Sequence, residues 1–266
     1  MFVHHTASKL TLHNNDVHIW LIEPAKVSDG KRLNTLKALL SNTEIEKVQR
    51  YRLAKAQHTA LITRAFVRTV LSQYTDVPAQ KWLFTIGTHG KPEIKHPTVP
   101  LSFNLSHNND LIICAVSVNK NIGCDIESLS RKISIKAIAQ RYFSTTEFSA
   151  LMALSPPLQA HRFFEYWTLK EAFVKATGMG ISQGLESFNF TIGKTGNRQF
   201  NDNIQLGFSP SCSEQDNRHW YSCLLYPDPK HCIALCVKTD NVPKPLSDKA
   251  VLNIQLFDGL ALLNRD

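Results

Sequence analysis

Asp125 and Glu127, two positions apart in Asn121-Ile-Gly-Cys-Asp-Ile-Glu127, are residues whose type and spacing could do chemistry. The run reads as a strand leaving a turn, and strand alternation sends both carboxylates to one face and Cys124 and Ile126 to the other. Two ionised carboxylates side by side repel, so holding both charged calls for a cation between them. An exposed edge strand with two solvated acids is the plainer reading of this run alone. A third acid lies in Trp167-Thr-Leu-Lys-Glu-Ala-Phe-Val-Lys175. Helical pitch there brings Lys170, Glu171 and Lys175 near one another, with Glu171 and Lys175 one turn apart and Phe173 and Val174 turned to a core. Alone, this segment is read more plainly as a solvated i,i+4 ion pair. Asp125, Glu127 and Glu171 together offer three carboxylates with no His or Cys companion, an oxygen-only set that fits Mg²⁺ sharing its shell with substrate phosphates.

Phe103-Asn-Leu-Ser-His-Asn108 places a hydroxyl and an imidazole just before an apolar strand. Neighbours on an extended chain point opposite ways and no GxSxG elbow surrounds them, so Ser106 and His107 read as phosphate ligands or as a capped turn with a structural His, not as nucleophile and base. His89-Gly-Lys-Pro92 holds Lys91 on a rigid turn, a position for an anion or base-edge contact. Gly193-Lys-Thr-Gly196 lacks the upstream glycine of a phosphate-binding loop. Gly178-Met-Gly-Ile-Ser-Gln-Gly184 follows a helix instead of opening one, and ends it.

The elements that must position these residues recur. Val17–Glu23 is expected as a first strand, Leu33–Leu40 as a short helix, and Ser41-Asn-Thr-Glu44 as the cap of a long helical region reaching Tyr74. Strands follow at Trp82–Gly87 and Leu111–Val118. The second half replays the order: Ser144-Thr-Thr-Glu147 matches the cap, Glu171-Ala-Phe-Val-Lys175 matches Arg64-Ala-Phe-Val-Arg68, Phe-Thr-Ile-Gly recurs at 84–87 and 190–193, and Cys232–Val237 stands where Ile113–Val118 stood. The expectation is an α+β chain of two similar α/β subdomains related by a pseudo-twofold, each a long helix on a small, mainly antiparallel sheet. The N-terminal subdomain would span 1–118 and the C-terminal one 119–245. Residues 246–266 would form a C-terminal tail, either a packed helix or a loose end.

With 266 residues, 43% hydrophobic and 20% charged, the chain can bury a full core. No secretory signal is visible, the longest apolar run is far too short to cross a bilayer, and six cysteines without a CxxC pair suit a reducing cytoplasm. A net charge of +8 favours anionic partners. The lack of any Lys/Arg block of five, RNP-like run or zinc finger speaks against nucleic acid.

Gly90-Lys-Pro92, Phe103-Asn-Leu-Ser-His107, Ile122-Gly-Cys-Asp-Ile-Glu127 and Trp167–Lys175, in this order and spacing, resemble the 4'-phosphopantetheinyl transferases, specifically the long, monomeric, pseudo-dimeric class typified by the surfactin-synthetase activator. The likeness runs from about Thr43 to Ser187. It implies transfer of 4'-phosphopantetheine from coenzyme A to a serine of an acidic apo carrier protein, leaving adenosine 3',5'-bisphosphate. By the same resemblance Asp125, Glu127 and Glu171 would hold Mg²⁺, and Ser106, His107 and Lys175 would contact the pyrophosphate and 3'-phosphate. Lys91 and Pro92 would border the adenine, and Lys47 and Arg52 fall near basic residues used for the 3'-phosphate. Glu171, directly or through a metal-bound water, or else Glu127 would take the serine proton, while Lys175 and His107 steady charge on the pyrophosphate. Two departures stand out: Cys124 replaces an aliphatic residue, and the segment before Gly90 lacks a basic residue that some members place near the adenine. The alternatives are a Mg²⁺-dependent phosphohydrolase of coenzyme A-like pyrophosphates and a basic nucleic-acid-binding protein.

Overall fold

The computed structural model describes residues 2–3, 9–95, 100–180, 184–239 and 252–264. The chain divides into two compact units. One comprises Met1–Thr85, Pro92–Asn119 and Leu252–Asp266, and the other Ile86–Lys91 and Lys120–Val251.

In the first unit, β1 (Phe2–Val3) and β2 (Asp16–Ile22) precede three helices, α1 (Gly30–Lys37), α2 (Asn42–Gln49) and α3 (Ala54–Leu71). A hairpin of β3 (Phe84–Ile86) and β4 (Pro92–Ile94) follows, then β5 (Leu101–His107) and β6 (Ile112–Val118). Strand β2 pairs antiparallel with β6, and β6 with β5. Helix α3 contributes Ile62, Ala65, Phe66 and Val70 to a core with Trp20, Ile112, Cys114 and Val116 from the sheet. Each large side chain fully withdrawn from water there is worth about 1.5–3 kcal/mol.

The second unit repeats that order. Strand β7 (Ile122–Ser128) leads to α4 (Ile135–Tyr142), α5 (Thr145–Met152) and α6 (Pro156–Thr177). Then come β8 (Phe188–Ile192), β9 (Phe200–Asn201), β10 (Ile204–Phe208), β11 (Trp220–Asp228) and β12 (His231–Lys238). The sheet β7-β12-β11-β9 carries the same antiparallel triplet as β2-β6-β5, and β8 pairs with β10 as β3 pairs with β4. Helix α6 packs Phe173 among Phe188, Phe190, Phe208 and Trp220. Each unit is therefore a long helix on a mainly antiparallel sheet, as the sequence led us to expect.

Both caps are full capping boxes, Ser41 with Glu44 and Ser144 with Glu147, and each glutamate does a second job. Glu44 accepts from Arg68 Nη2 at 2.6 Å, while Glu147 accepts from Lys170 Nζ at 2.8 Å. Lys170 is fully buried and also donates to the carbonyls of Leu185 and Phe188, both at 2.7 Å, so its three protons are all satisfied. Burial lowers its pKa and Glu147 opposes the shift. Lys170 thus faces the core, not the company of Glu171 and Lys175. The cap partners are Arg68 and Lys170, out of step with the match of Arg68 to Lys175 suggested by the Ala-Phe-Val repeat.

Three local expectations change. The helical region from Ser41 to Tyr74 is two helices, interrupted at Arg50–Leu53, where Gln57 Nε2 donates to the Tyr51 carbonyl freed by the break at 2.8 Å. Only Phe84–Ile86 of the Trp82–Gly87 run is strand, because Trp82 turns its indole to Ser72 Oγ at 2.9 Å. The described part of the expected tail belongs to the first unit: β13 (Asn253–Asp258) lies between β1 and β2, parallel to both, and α7 (Gly259–Leu263) follows it. Phe257 stacks on Trp20 with ring centroids 4.7 Å apart, which draws this segment into the core.

Candidate active site

In the second unit, β7 and α6 cross so closely that no side chain fits between them at Gly123. A Cβ there would stand 2.0 Å from the Ala172 carbonyl oxygen and 2.4 Å from the Ala176 nitrogen. A glycine inside a strand marks such an approach. The crossing places Asp125 and Glu127, which alternation puts on the face toward α6, beside Glu171 and Lys175 of the helix. Lys175 Nζ donates to Asp125 Oδ1 at 2.7 Å and to the Cys124 carbonyl at 3.3 Å. Glu127 accepts from Arg131 Nη1 through both oxygens, at 3.1 and 3.2 Å.

Electrostatics tie the acids into one group. Burial and then the Asp125 charge raise the pKa of Glu127, with Arg131 opposing. Glu171 is raised by burial, by Asp125 and by Glu127, and lowered by Lys175. Burial works against the Lys175 ammonium, but Asp125 and Glu171 hold its pKa above the usual lysine value. Among the described residues no three His, Cys, Asp or Glu side chains form a ready metal-binding group. Asp125 is turned onto Lys175 and Glu127 onto Arg131 instead. The donor set itself, all oxygen, half-buried and mutually repelling, fits a hard divalent cation.

Beside Glu127 opens a hollow of about 420 Å³ walled by Ile133, Ile138, Phe163, Phe164 and Trp167, with Arg131 at its margin. Lys91, on the hairpin turn, sends its ammonium to the carbonyls of Ile122 at 3.0 Å and Ala176 at 3.5 Å, so it touches the same two elements. Gly178 ends α6 in the left-handed conformation (φ 70°), as the glycine run implies.

The other residues named from sequence lie in the first unit. Lys47 joins Arg50, Tyr51 and Arg64 around a hollow of about 270 Å³. Arg52 is exposed and does not line it. Ser106 is buried and His107 exposed at the end of β5, and Pro92 opens β4. Sequence reasoning passed over Gly123, Arg131, Arg50 and Arg64 as site residues. A glycine within a strand is the available signal for the first and a cluster of basic residues around the α2–α3 break for Arg50, while Arg64, midway along α3, is brought to the hollow only by the fold.

Two family models match: one described as 4'-phosphopantetheinyl transferase superfamily over residues 121–236, the other as 4'-phosphopantetheinyl transferase, N-terminal, over residues 28–119. The 4'-phosphopantetheinyl transferase HetI of Nostoc sp. is 33% identical over 188 residues, covering 70% of this chain and 78% of HetI. The 4'-phosphopantetheinyl transferase Sfp of Bacillus subtilis is 29% identical over 86% of this chain and 94% of its own length. Among solved structures, Thermotoga maritima holo-[acyl-carrier-protein] synthase aligns with 45% of this chain and 63% of its own, at TM-score 0.34 and 18% identity. The chain belongs to the 4'-phosphopantetheinyl transferase superfamily, in the long type that Sfp represents.

Proposed function

We propose that the chain transfers 4'-phosphopantetheine from coenzyme A to a serine hydroxyl of an apo carrier protein, releasing adenosine 3',5'-bisphosphate. The observation that carries this reading is the β7–α6 crossing, which groups three carboxylates and a lysine where a pyrophosphate could be held. Asp125, Glu127 and Glu171 would hold Mg²⁺, which when bound supplies neutralising charge to the pyrophosphate oxygens. Lys175, kept protonated by Asp125, adds a fixed positive charge for the same oxygens. The serine oxygen forms its bond to the β-phosphorus as the bond to the bridging oxygen breaks, and the adenosine bisphosphate leaves with the electron pair. Glu171 takes the serine proton. It makes no ion pair or side-chain hydrogen bond among the described residues, whereas both oxygens of Glu127 are engaged by Arg131.

The surroundings suit the rest of the substrates. The apolar hollow beside Glu127 matches an uncharged, thiol-ended arm. In the first unit, the hollow of Lys47, Arg50 and Arg64 suits a phosphate, with Ser106 and His107 as further phosphate contacts and Pro92 along the adenine; the Lys91 ammonium is turned onto the Ile122 and Ala176 carbonyls instead. Helix α4 and the turn before it expose Arg131, Lys132, Lys136 and Arg141, and no acid occurs from Ser128 to Thr146, a surface that would steer an acidic carrier. All six cysteines are buried and outside any disulfide, which suits an enzyme of the reducing cytoplasm.

The test is mass spectrometry of a panel of apo carrier domains incubated with the enzyme, coenzyme A and Mg²⁺. One added phosphopantetheine per carrier is expected, lost in Asp125→Ala. Carriers left unmodified across the panel would refute the proposal, and free phosphopantetheine released without any acceptor would make the enzyme a phosphohydrolase.

A further inference from the structure

We propose that Lys91 is a positioning residue whose ammonium fastens the start of β7 to the C-terminus of α6, and so sets the separation of Asp125 from Glu171 and Lys175. The backbone of Lys91 is held by its turn. Gly90 donates to the Gly87 carbonyl and Gly87 to the Lys91 carbonyl, both at 2.9 Å, Gly90 has φ +87°, and Pro92 fixes the next φ. From that anchor the side chain passes the left-handed turn that closes α6, its Cδ 4.0 Å from where a Cβ on Gly178 would stand. The ammonium then meets the Ile122 carbonyl at 3.0 Å and the Ala176 carbonyl at 3.5 Å.

Both acceptors sit where a clip has leverage. Ile122 begins the strand that presents Asp125 three residues later, and Ala176 directly follows Lys175. The last carbonyls of a helix lack partners within it and carry the negative end of its dipole, so a cation there steadies the helix end. Strand β7 is an edge of its sheet, and the carbonyls of alternate residues Ile122 and Cys124 accept from Lys91 and Lys175. Two ammonium groups thus join strand to helix on either side of the Gly123 contact, which itself contains no side chain that could lock the two elements together. Lys91 acts on the reaction through Asp125 and Glu171.

The inference rests on the transferase reading for its kinetic consequence only. The test compares Lys91→Met, which keeps the apolar stem, and Lys91→Arg with the wild type in two measurements: transfer kinetics against coenzyme A, and amide hydrogen exchange over residues 122–126 and 174–178. Lys91→Met is expected to lower kcat about tenfold or more while KM for coenzyme A changes less than about twofold. Exchange should quicken in both segments, and Lys91→Arg should recover most of kcat and of the protection. A KM raised with kcat intact would make Lys91 a substrate contact and overturn the proposal, as would unchanged exchange in both segments. If Lys91→Met does not fold, Lys91→Arg decides alone: retained protection and kcat support the clip, and retained protection with a raised KM overturns it. Exchange reads the clip even in an enzyme that transfers nothing, so failure of the clip and failure of the transferase reading are distinguishable.

Discussion

Replacing Gly123 by alanine should disable the enzyme through one methyl group. The new Cβ would lie 2.0 Å from the Ala172 oxygen, 2.4 Å from the Ala176 nitrogen and 2.9 Å from the Ala176 Cα, where real Cβ contacts essentially never fall under 3.0 Å. All three opposing atoms are backbone, so no side chain can swing away and the strand and helix must part by about 1 Å. Overpacking of this kind costs about 1–3 kcal/mol, and with the upper value the melting temperature should drop by about 6–12 °C. The kinetic effect is expected to exceed the thermal one, since a displacement of about 1 Å between groups that must act together can cost about a hundredfold in rate. The assays are thermal unfolding and carrier phosphopantetheinylation, run on Gly123→Ala with and without Ala172→Gly or Ala176→Gly. Neither second change removes a clashing atom, so neither should rescue. A Gly123→Ala enzyme with wild-type melting and turnover, or one rescued by Ala172→Gly, would refute the close-crossing argument.

Three further outcomes follow from the same structure. Lys170→Met strips a buried carboxylate of its partner and should cost about 3–5 kcal/mol in chemical denaturation, with Lys170→Met/Glu147→Gln costing less than the sum of the single changes. The raised pKa of Glu171 means that the folded state binds its proton more tightly than the unfolded chain, so its contribution to stability is present below the ordinary value of 4.5 and is lost as pH rises through the folded value. Glu171→Gln should therefore melt higher than wild type at pH 7.5 in metal-free buffer, converge with it near pH 4, and transfer nothing; an unchanged melting temperature at pH 7.5 would contradict the repulsion. Arg64→Ala should raise KM for coenzyme A about tenfold, one charge-assisted contact of about 1.5 kcal/mol, with kcat nearly unchanged. An unaltered KM would remove the phosphate from that hollow.

Which residues could be read beforehand follows from how local their determinants are. Asp125 and Glu127 share a face because strands alternate, and Glu171 and Lys175 are neighbours because helices turn every 3.6 residues. Pitch alone cannot say which face of α6 is buried, since apolar residues occur all round it, and it groups Lys170 with Glu171 although Lys170 points into the core. The duplication was legible as an order of elements, and the antiparallel triplets bear it out. Its residue register was not, because the Ala-Phe-Val repeat and the capping-glutamate pairs disagree over which cation matches Arg68. Strand β13 left no local trace: its pairing depends on a strand far upstream, with Asn253 Nδ2 donating to Asp16 Oδ1 across 237 positions.

That last pairing bears on how the chain is made. Synthesis delivers β2, β5 and β6 early, and the whole second unit, helix α6 included, emerges before Asn253–Asp258 leaves the ribosome. The second unit can therefore fold on schedule while the first waits with one side of β2 uncovered and Trp20 lacking Phe257, a long-range contact of the slow kind. Vector design should respect this order. Removing Asn253–Asp258 would strike the sheet begun by β2, and the first unit is the part left incomplete longest during synthesis.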